Sequence, residues 1–174
     1  MRTLSLLRHA KSSWDDEALA DFDRPLAPRG EAAAPLMGRH MRDIGLRPDL
    51  VICSPSVRTR RTAALALKEL AIPKLPIVYD EAVYEADAGR LLARLKRVDP
   101  AIGHVLMIGH NPGLQRLVLL LTDRRLDGES ASIATKLPTG ALVVLDLDIG
   151  DWSSAANGCA TVAHFATPRG LMEK

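Results

Sequence analysis

Thr3-Leu4-Ser5-Leu6-Leu7 runs straight into Arg8-His9. A short apolar run of this kind reads as a strand, and here it delivers a cation and an imidazole at its carboxyl end. Two later stretches repeat the pattern. Asp49-Leu50-Val51-Ile52-Cys53 leads into Ser54-Pro55-Ser56-Val57-Arg58, and His104 to Ile108 leads into Gly109-His110-Asn111-Pro112-Gly113. Ser54-Pro55 and Asn111-Pro112 both read as helix openings, a capping side chain followed by proline at the first helical position. The helices so opened extend to about Leu70 and about Thr122.

Working outward, residues 28 to 44 carry helix formers and stop at Gly45. Ile77 to Tyr79 is a short strand. Ala88 to Val98 is amphipathic, with Leu91, Leu92, Leu95 and Val98 on one face and Arg90, Arg94 and Arg97 towards the other. Residues 123 to 135 are polar, a loop or a short helix. Ala141 to Leu145 and Thr161 to Phe165 read as two closing strands around a turn-rich stretch, Asp148 to Gly158. Alternating strands and helices imply an α/β fold, a mostly parallel sheet with helices on both faces. Short connections leave little material for a lid.

Composition bounds the function. A chain of 174 residues suits one domain spanning 1–174. Apolar residues make up 47 %, which argues against disorder, and a net charge of +2 supplies no overall field for nucleic acid or a membrane. Two cysteines, Cys53 and Cys159, make no disulfide scaffold, and no zinc-ligand spacing is present. No metal and no cofactor is expected. Arg8 interrupts the first apolar run, so no signal peptide is legible, and no run approaches the ~20 residues of a membrane span. A cytoplasmic location is the expectation.

In open α/β sheets ligands bind beyond the carboxyl ends of the strands. The strand ends above supply Arg8, His9, Arg58 and His110 there. Seventeen of the 23 basic residues are arginines, whose planar fork suits phosphate; a GC-rich genome would produce the same bias. Arg58, Arg60 and Arg61 stand in the first turns of a helix, where cations are disfavoured unless an anion binds too. Arg58 is read as functional, and Arg60 and Arg61 as pointing to water. Two arginines, two histidines and helix N-termini make phosphate the natural guest. A neutral imidazole is a competent nucleophile near pH 7, so phosphoryl transfer through a phosphohistidine fits this inventory.

These motifs, with Asp23-Arg24-Pro25-Leu26, Arg29-Gly30, Tyr84-Glu85-Ala86 and Leu137-Pro138-Thr139-Gly140, resemble the histidine phosphatase superfamily, and most closely its short SixA-like branch. The resemblance runs from residue 3 to about 165. It implies a phosphoglycerate mutase-like three-layer α/β/α sandwich with no lid domain. It also implies His9 as nucleophile, with Arg8, Arg58 and His110 clamping the phosphoryl oxygens. Asn111 would cap the following helix, orient His110 and count with Arg8, Arg58 and His110 among the phosphate-binding residues. Glu85 stands where many family members keep their proton donor, although a loop glutamate is ordinarily just solvated. The residue after Arg-His, usually Gly, is Ala10 here, which suggests a loop with no need of a positive backbone angle.

Lys11 and Ser12 stand close enough to His9 to touch phosphate, or serve only the loop. His40 is expected to be exposed and His164 to pack in a core or edge strand. His104 lies about 20 Å from His110 along a strand. Cys53 is expected as buried filler. The resemblance implies a metal-independent phosphatase acting on phosphohistidine in proteins. The alternatives are a phosphomonoesterase for small phosphorylated metabolites and a phosphate-binding module without turnover.

Overall fold

The computed structural model describes residues 1–174. Six strands form one sheet: β1 (Arg2–Arg8), β2 (Leu50–Cys53), β3 (Ile77–Tyr79), β4 (His104–Gly109), β5 (Leu142–Leu147) and β6 (Ala160–Ala166). Their spatial order is β3-β2-β4-β1-β5-β6. The first four strands are mutually parallel, and β5 runs antiparallel to both β1 and β6. Five strands thus share one direction, and the expected mostly parallel sheet is present.

Strand alternation sends successive side chains to opposite faces. Leu4 and Leu6 of β1 pack with Leu91 and Leu95 of α3 (Ala88–Leu95) and with Leu114, Leu117 and Leu121 of α4 (Gly113–Thr122). Leu7 faces the other way, onto Met37 and Met41 of α1 (Pro28–Asp43) and Ala63 and Ala66 of α2 (Val57–Leu70). Two helical layers therefore enclose the sheet, as expected for a three-layer sandwich. Truncating a core leucine such as Leu6 to alanine would cost about 2–5 kcal/mol. Close approach of α1 to α2 depends on Gly38, where a Cβ would lie 2.1 Å from the Ala66 carbonyl oxygen.

Between α2 and β4 the chain makes β3, a 3₁₀ turn (Glu81–Val83) and α3, and nothing that could roof the sheet edge. A short α5 (Pro168–Met172), not anticipated from the sequence, follows β6 and opens on Thr167 as its cap with Pro168 at the first position. The polar stretch after α4 contains a 3₁₀ segment, Gly128–Ala134. No helix is long and apolar enough to cross a membrane.

Both proline-led helix starts differ from expectation. The cap of α2 is Ser56, whose hydroxyl accepts the Thr59 amide, and the helix begins at Val57 instead of Pro55. In α4 the cap is Pro112 and the helix begins at Gly113; Asn111 Oδ1 still accepts the Gln115 amide at 3.3 Å, capping from one residue further back. The third helix is shorter than expected, with Lys96 as its cap.

Candidate active site

The sequence left open whether the three motif-bearing strands are neighbours. They are: β2, β4 and β1 lie side by side, with Arg8 opposite Gly109 and Cys53 opposite Ile108. Each motif therefore leaves the sheet at one level. The His9 amide donates to the Gly109 carbonyl and the Ser54 amide to the Ile108 carbonyl, both at 3.0 Å. The rings of His9 and His110 come to 5.4 Å between centroids. Helices α2 and α4 start here, adding the positive ends of their dipoles.

His9 is buried, and its Nδ1 lies 2.8 Å from the Ala10 carbonyl oxygen. A carbonyl only accepts, so Nδ1 carries the hydrogen and Nε2 keeps its lone pair. Burial, reinforced by the charges of Arg58, Arg8 and Arg24, pushes the imidazole pKa down to about 4 against the hydrogen bond to Ala10. A neutral ring with a free Nε2 is the state a nucleophile needs. The backbone at Ala10 is held by the Thr62 hydroxyl, which accepts its amide at 3.0 Å. Ala10 is absent from the positive-φ positions, in keeping with a residue other than glycine there.

His110 is fixed at both nitrogens. Arg58 Nη2 lies 3.2 Å from Nδ1 and Ser54 Oγ lies 2.7 Å from Nε2. A guanidinium only donates, so Nδ1 accepts and Nε2–H donates to Ser54. Burial first, then the positive charge of Arg58, pushes the His110 pKa down to about 3.

Asp21 ties the cluster together. Its carboxylate takes Arg58 Nη2 at 3.0 Å, the Tyr84 hydroxyl at 2.6 Å and Arg24 Nη1 at 3.0 Å, while its backbone carbonyl takes Arg58 Nη1 at 2.7 Å. Burial opposes the charge on Asp21, but the hydrogen bonds from Tyr84 and Arg58 prevail and hold its carboxyl well below the usual range. Glu85 moves the other way: its hydrogen bond to Asp21, then burial and the Asp21 charge, raise its pKa. Glu85 is thus the carboxyl of the pair that more readily keeps a proton. Burial and the bond to Asp21 push Tyr84 up to about 12.

Residues 4–101 match the family model for the histidine phosphatase superfamily (branch 1). An uncharacterized Mycobacterium tuberculosis protein is 35 % identical over 167 residues, covering 94 % of this chain and all of that one. The chain belongs to the histidine phosphatase superfamily. Its SixA-like branch is the one that fits. Structures of proteins assigned as the phosphohistidine phosphatase SixA, from Nakamurella multipartitia and Agrobacterium tumefaciens, are each 27 % identical to it. The first has a TM-score of 0.83 with 96 % of both chains covered, the second 0.79 with 96 % of this chain and 98 % of that one.

In this histidine phosphatase fold Arg8 reaches the same cluster from β1. Its Nη1 donates to the Leu137 carbonyl at 2.8 Å, and burial and the Arg58 charge lower its pKa. The Asn111 amide donates to that same carbonyl at 3.1 Å. Asn111 makes no hydrogen bond to His110, contrary to expectation: it holds the segment on which Arg8 rests. Nε of Arg8 and Nε of Arg58 are buried with no partner. An unmet buried donor costs about 1–3 kcal/mol. Arg2 Nε, at the opposite end of β1, shares that condition, so convergence with the imidazoles matters more than the vacancy alone.

Other candidates fall elsewhere. Lys11 is exposed, while the Ser12 hydroxyl is buried and taken by Arg24 Nη2 at 2.5 Å. Arg60 is exposed, with its guanidinium 4.0 Å from the Tyr79 ring, and Arg61 pairs with Glu31 at 2.8 Å. His40 is not freely exposed as expected: it is half-buried, with Nε2 2.8 Å from Nε2 of His164 on the edge strand β6. His104 bonds Ser5 at 2.7 Å. Cys53 is fully buried, and burial pushes its thiol up to about 12, so it is inert filler. The sequence reading missed Asp21, Thr62 and the role of Ser54. Asp21 opens a single 3₁₀ turn, Asp21–Asp23, in an acidic stretch with no apolar periodicity to mark it.

Proposed function

We propose that this protein is a metal-independent phosphatase that works through a phosphohistidine on His9 and acts on phosphohistidine in other proteins. The observation that carries this reading is a neutral His9 with a free Nε2, set beside His110 and two arginines that keep unpartnered Nε donors. The Nε2 lone pair attacks phosphorus, and the bond to the leaving group breaks as the N–P bond forms. Arg8 and Arg58 balance the charge that gathers on the oxygens, and His110 joins them once the phosphoryl dianion draws a proton onto its Nδ1. Glu85 gives its proton to the leaving group. A water then loses a proton to the same carboxylate as it attacks phosphorus, releasing phosphate and restoring His9.

A protein substrate is favoured by the short span between α2 and β4, which carries no lid, and by the likeness to the two SixA structures. Small metabolite esters are the competing class, and a lid that would enclose one is missing between α2 and β4. The test compares hydrolysis rates on phosphohistidine peptides, phosphoserine peptides and a panel of small phosphate esters, each with and without excess chelator. Preference for phosphohistidine, unchanged by chelator, is expected. Preference for a small ester would transfer the activity to metabolites, and metal-rescued loss in chelator would overturn the mechanism.

A further inference from the structure

The aromatic residues of this chain are few and unevenly placed. It has six, and three of them, Trp14, Phe22 and Tyr84, stand at the mouth of the arginine–histidine cluster. Trp14 is 69 % exposed, Leu19 38 % and Phe22 37 %. They share one segment, 14–23, whose remaining side chains are mostly acidic: Asp15, Asp16, Glu17, Asp21 and Asp23, with no lysine or arginine among them.

This segment is fastened from beneath. Arg24 is buried, with its guanidinium carbon 3.3 Å from the centroid of the Trp14 ring. Its Nε donates to the Ser13 carbonyl at 3.2 Å, its Nη2 to Ser12 and its Nη1 to Asp21. Phe22 packs edge-on to Tyr84 at 5.1 Å, and Tyr84 in turn packs edge-on to His110 at 5.3 Å. Asp21 holds Arg58, which is only 4 % exposed. The loop is pre-ordered and continuous with the site, yet its outer face leaves a tryptophan, a phenylalanine and a leucine in water. Aromatic side chains held rigid at a rim are cheap to bury against a partner, because little conformational freedom remains to be lost.

We propose that residues 14–23 are a docking surface for the protein that carries the phosphoryl group, and that the matching surface of that protein is apolar at its centre and rich in lysine and arginine around it. This rests on the phosphohistidine reading above and narrows its substrate class. Charge complementarity selects the occupant. The deep site is cationic and takes the phosphoryl group, whereas the rim beside it is anionic. A target with several phosphates or flanking carboxylates would be repelled by the rim, while a single phosphoryl group set among basic side chains is attracted by both layers.

The experiment measures binding by titration calorimetry of the full-length protein. The two probes are 15-residue peptides carrying a stable phosphonate mimic of phosphohistidine, one with lysine flanks and one with glutamate flanks. The lysine-flanked peptide should bind about tenfold more tightly at low salt, with the gap closing at high salt. Asp15→Asn/Asp16→Asn/Glu17→Gln, which touches none of the cluster, should bring the two affinities within about twofold and leave turnover of an aryl phosphate unchanged. Phe22→Ala should weaken both peptides together. Equal affinities in the wild type, a preference for glutamate flanks, a gap that survives the triple substitution, or a Phe22→Ala protein that binds as the wild type does would each overturn the docking surface. Failure to hydrolyse any phosphohistidine substrate would instead defeat the functional reading and leave the binding comparison to stand on its own.

Discussion

Ser54 Oγ lies 2.7 Å from Nε2 of His110, so a hydroxyl at the end of β2 sets the tautomer of an imidazole at the end of β4. With Nε2–H committed to Ser54, Nδ1 is the nitrogen that faces Arg58. Ser54→Ala would leave a buried N–H without an acceptor and release the ring. A loss of about tenfold in kcat/KM is expected, with about 1 kcal/mol of stability. Steady-state kinetics and denaturant melts check this; a fully active variant would show that the tautomer is set without Ser54.

His9 should be the atom-accepting centre. Rapid quench of a turning-over sample with 32P-labelled substrate should trap acid-labile, base-stable phosphate on the wild type. His9→Ala should trap none and lose turnover by at least about 10³-fold, since a covalent route is removed outright. It should still bind inorganic phosphate, because Arg8, Arg58 and His110 remain. Persistent turnover in His9→Ala would assign the chemistry to another group.

Glu85 and Asp21 separate by leaving group. Nitrophenolate departs without a proton, whereas an alkoxide needs one. Glu85→Gln should therefore lower kcat/KM, which ends with departure of the leaving group and excludes the shared water step, about 10²-fold for an alkyl phosphate and less than about threefold for a nitrophenyl phosphate. Asp21→Asn removes the anchor of Arg58 and should impair both alike. If Glu85→Gln lowered kcat/KM for both substrates equally, the carboxyl would be acting on the site's geometry and not on the leaving group.

Sheet order was not written in the sequence, but the strand ends were. Arg8, His9, Arg58 and His110 follow from reading where apolar runs stop, because a parallel sheet collects those ends on one edge. The cap of α2 is ambiguous in the sequence because Ser54-Pro55-Ser56 holds two serines able to cap, and the first is needed by His110. Asp21 was invisible for a different reason. Its partners, Arg58, Tyr84 and Glu85, are 37 to 64 positions away, and a loop carries no period that could reveal such a meeting. The His40–His164 pair, separated by 124 positions, escaped in the same way.

Gly113 links the packing of α4 to the placement of Glu85. A Cβ there would lie 2.0 Å from the Ala86 carbonyl oxygen. Gly113→Ala should push the 84–86 segment outward, costing about 1–3 kcal/mol of stability. It should also reproduce in part the selective loss on alkyl phosphates expected of Glu85→Gln. A melting shift without that selectivity would mean that α4 moves and the segment stays.

Stability should fall on mild acidification, and phosphate should restore it. The ordinary histidine pKa is near 6.5, while burial and the arginines bring His9 to about 4 and His110 to about 3. Between those values and 6.5 the unfolded chain binds protons that the folded chain refuses. The contribution is therefore complete above about 6.5 and is lost as pH drops. From pH 7 to pH 5 each of the two should forfeit on the order of 2 kcal/mol. His40, His104 and His164 are lowered as well and add in the same direction. A bound phosphate dianion supplies the negative charge the imidazoles lack and raises their pKa, so millimolar phosphate should flatten the slope. Urea melts at pH 7 and pH 5, with and without phosphate, read both effects. A stability that held constant down to pH 5 without phosphate would show that neither imidazole is kept neutral by the fold.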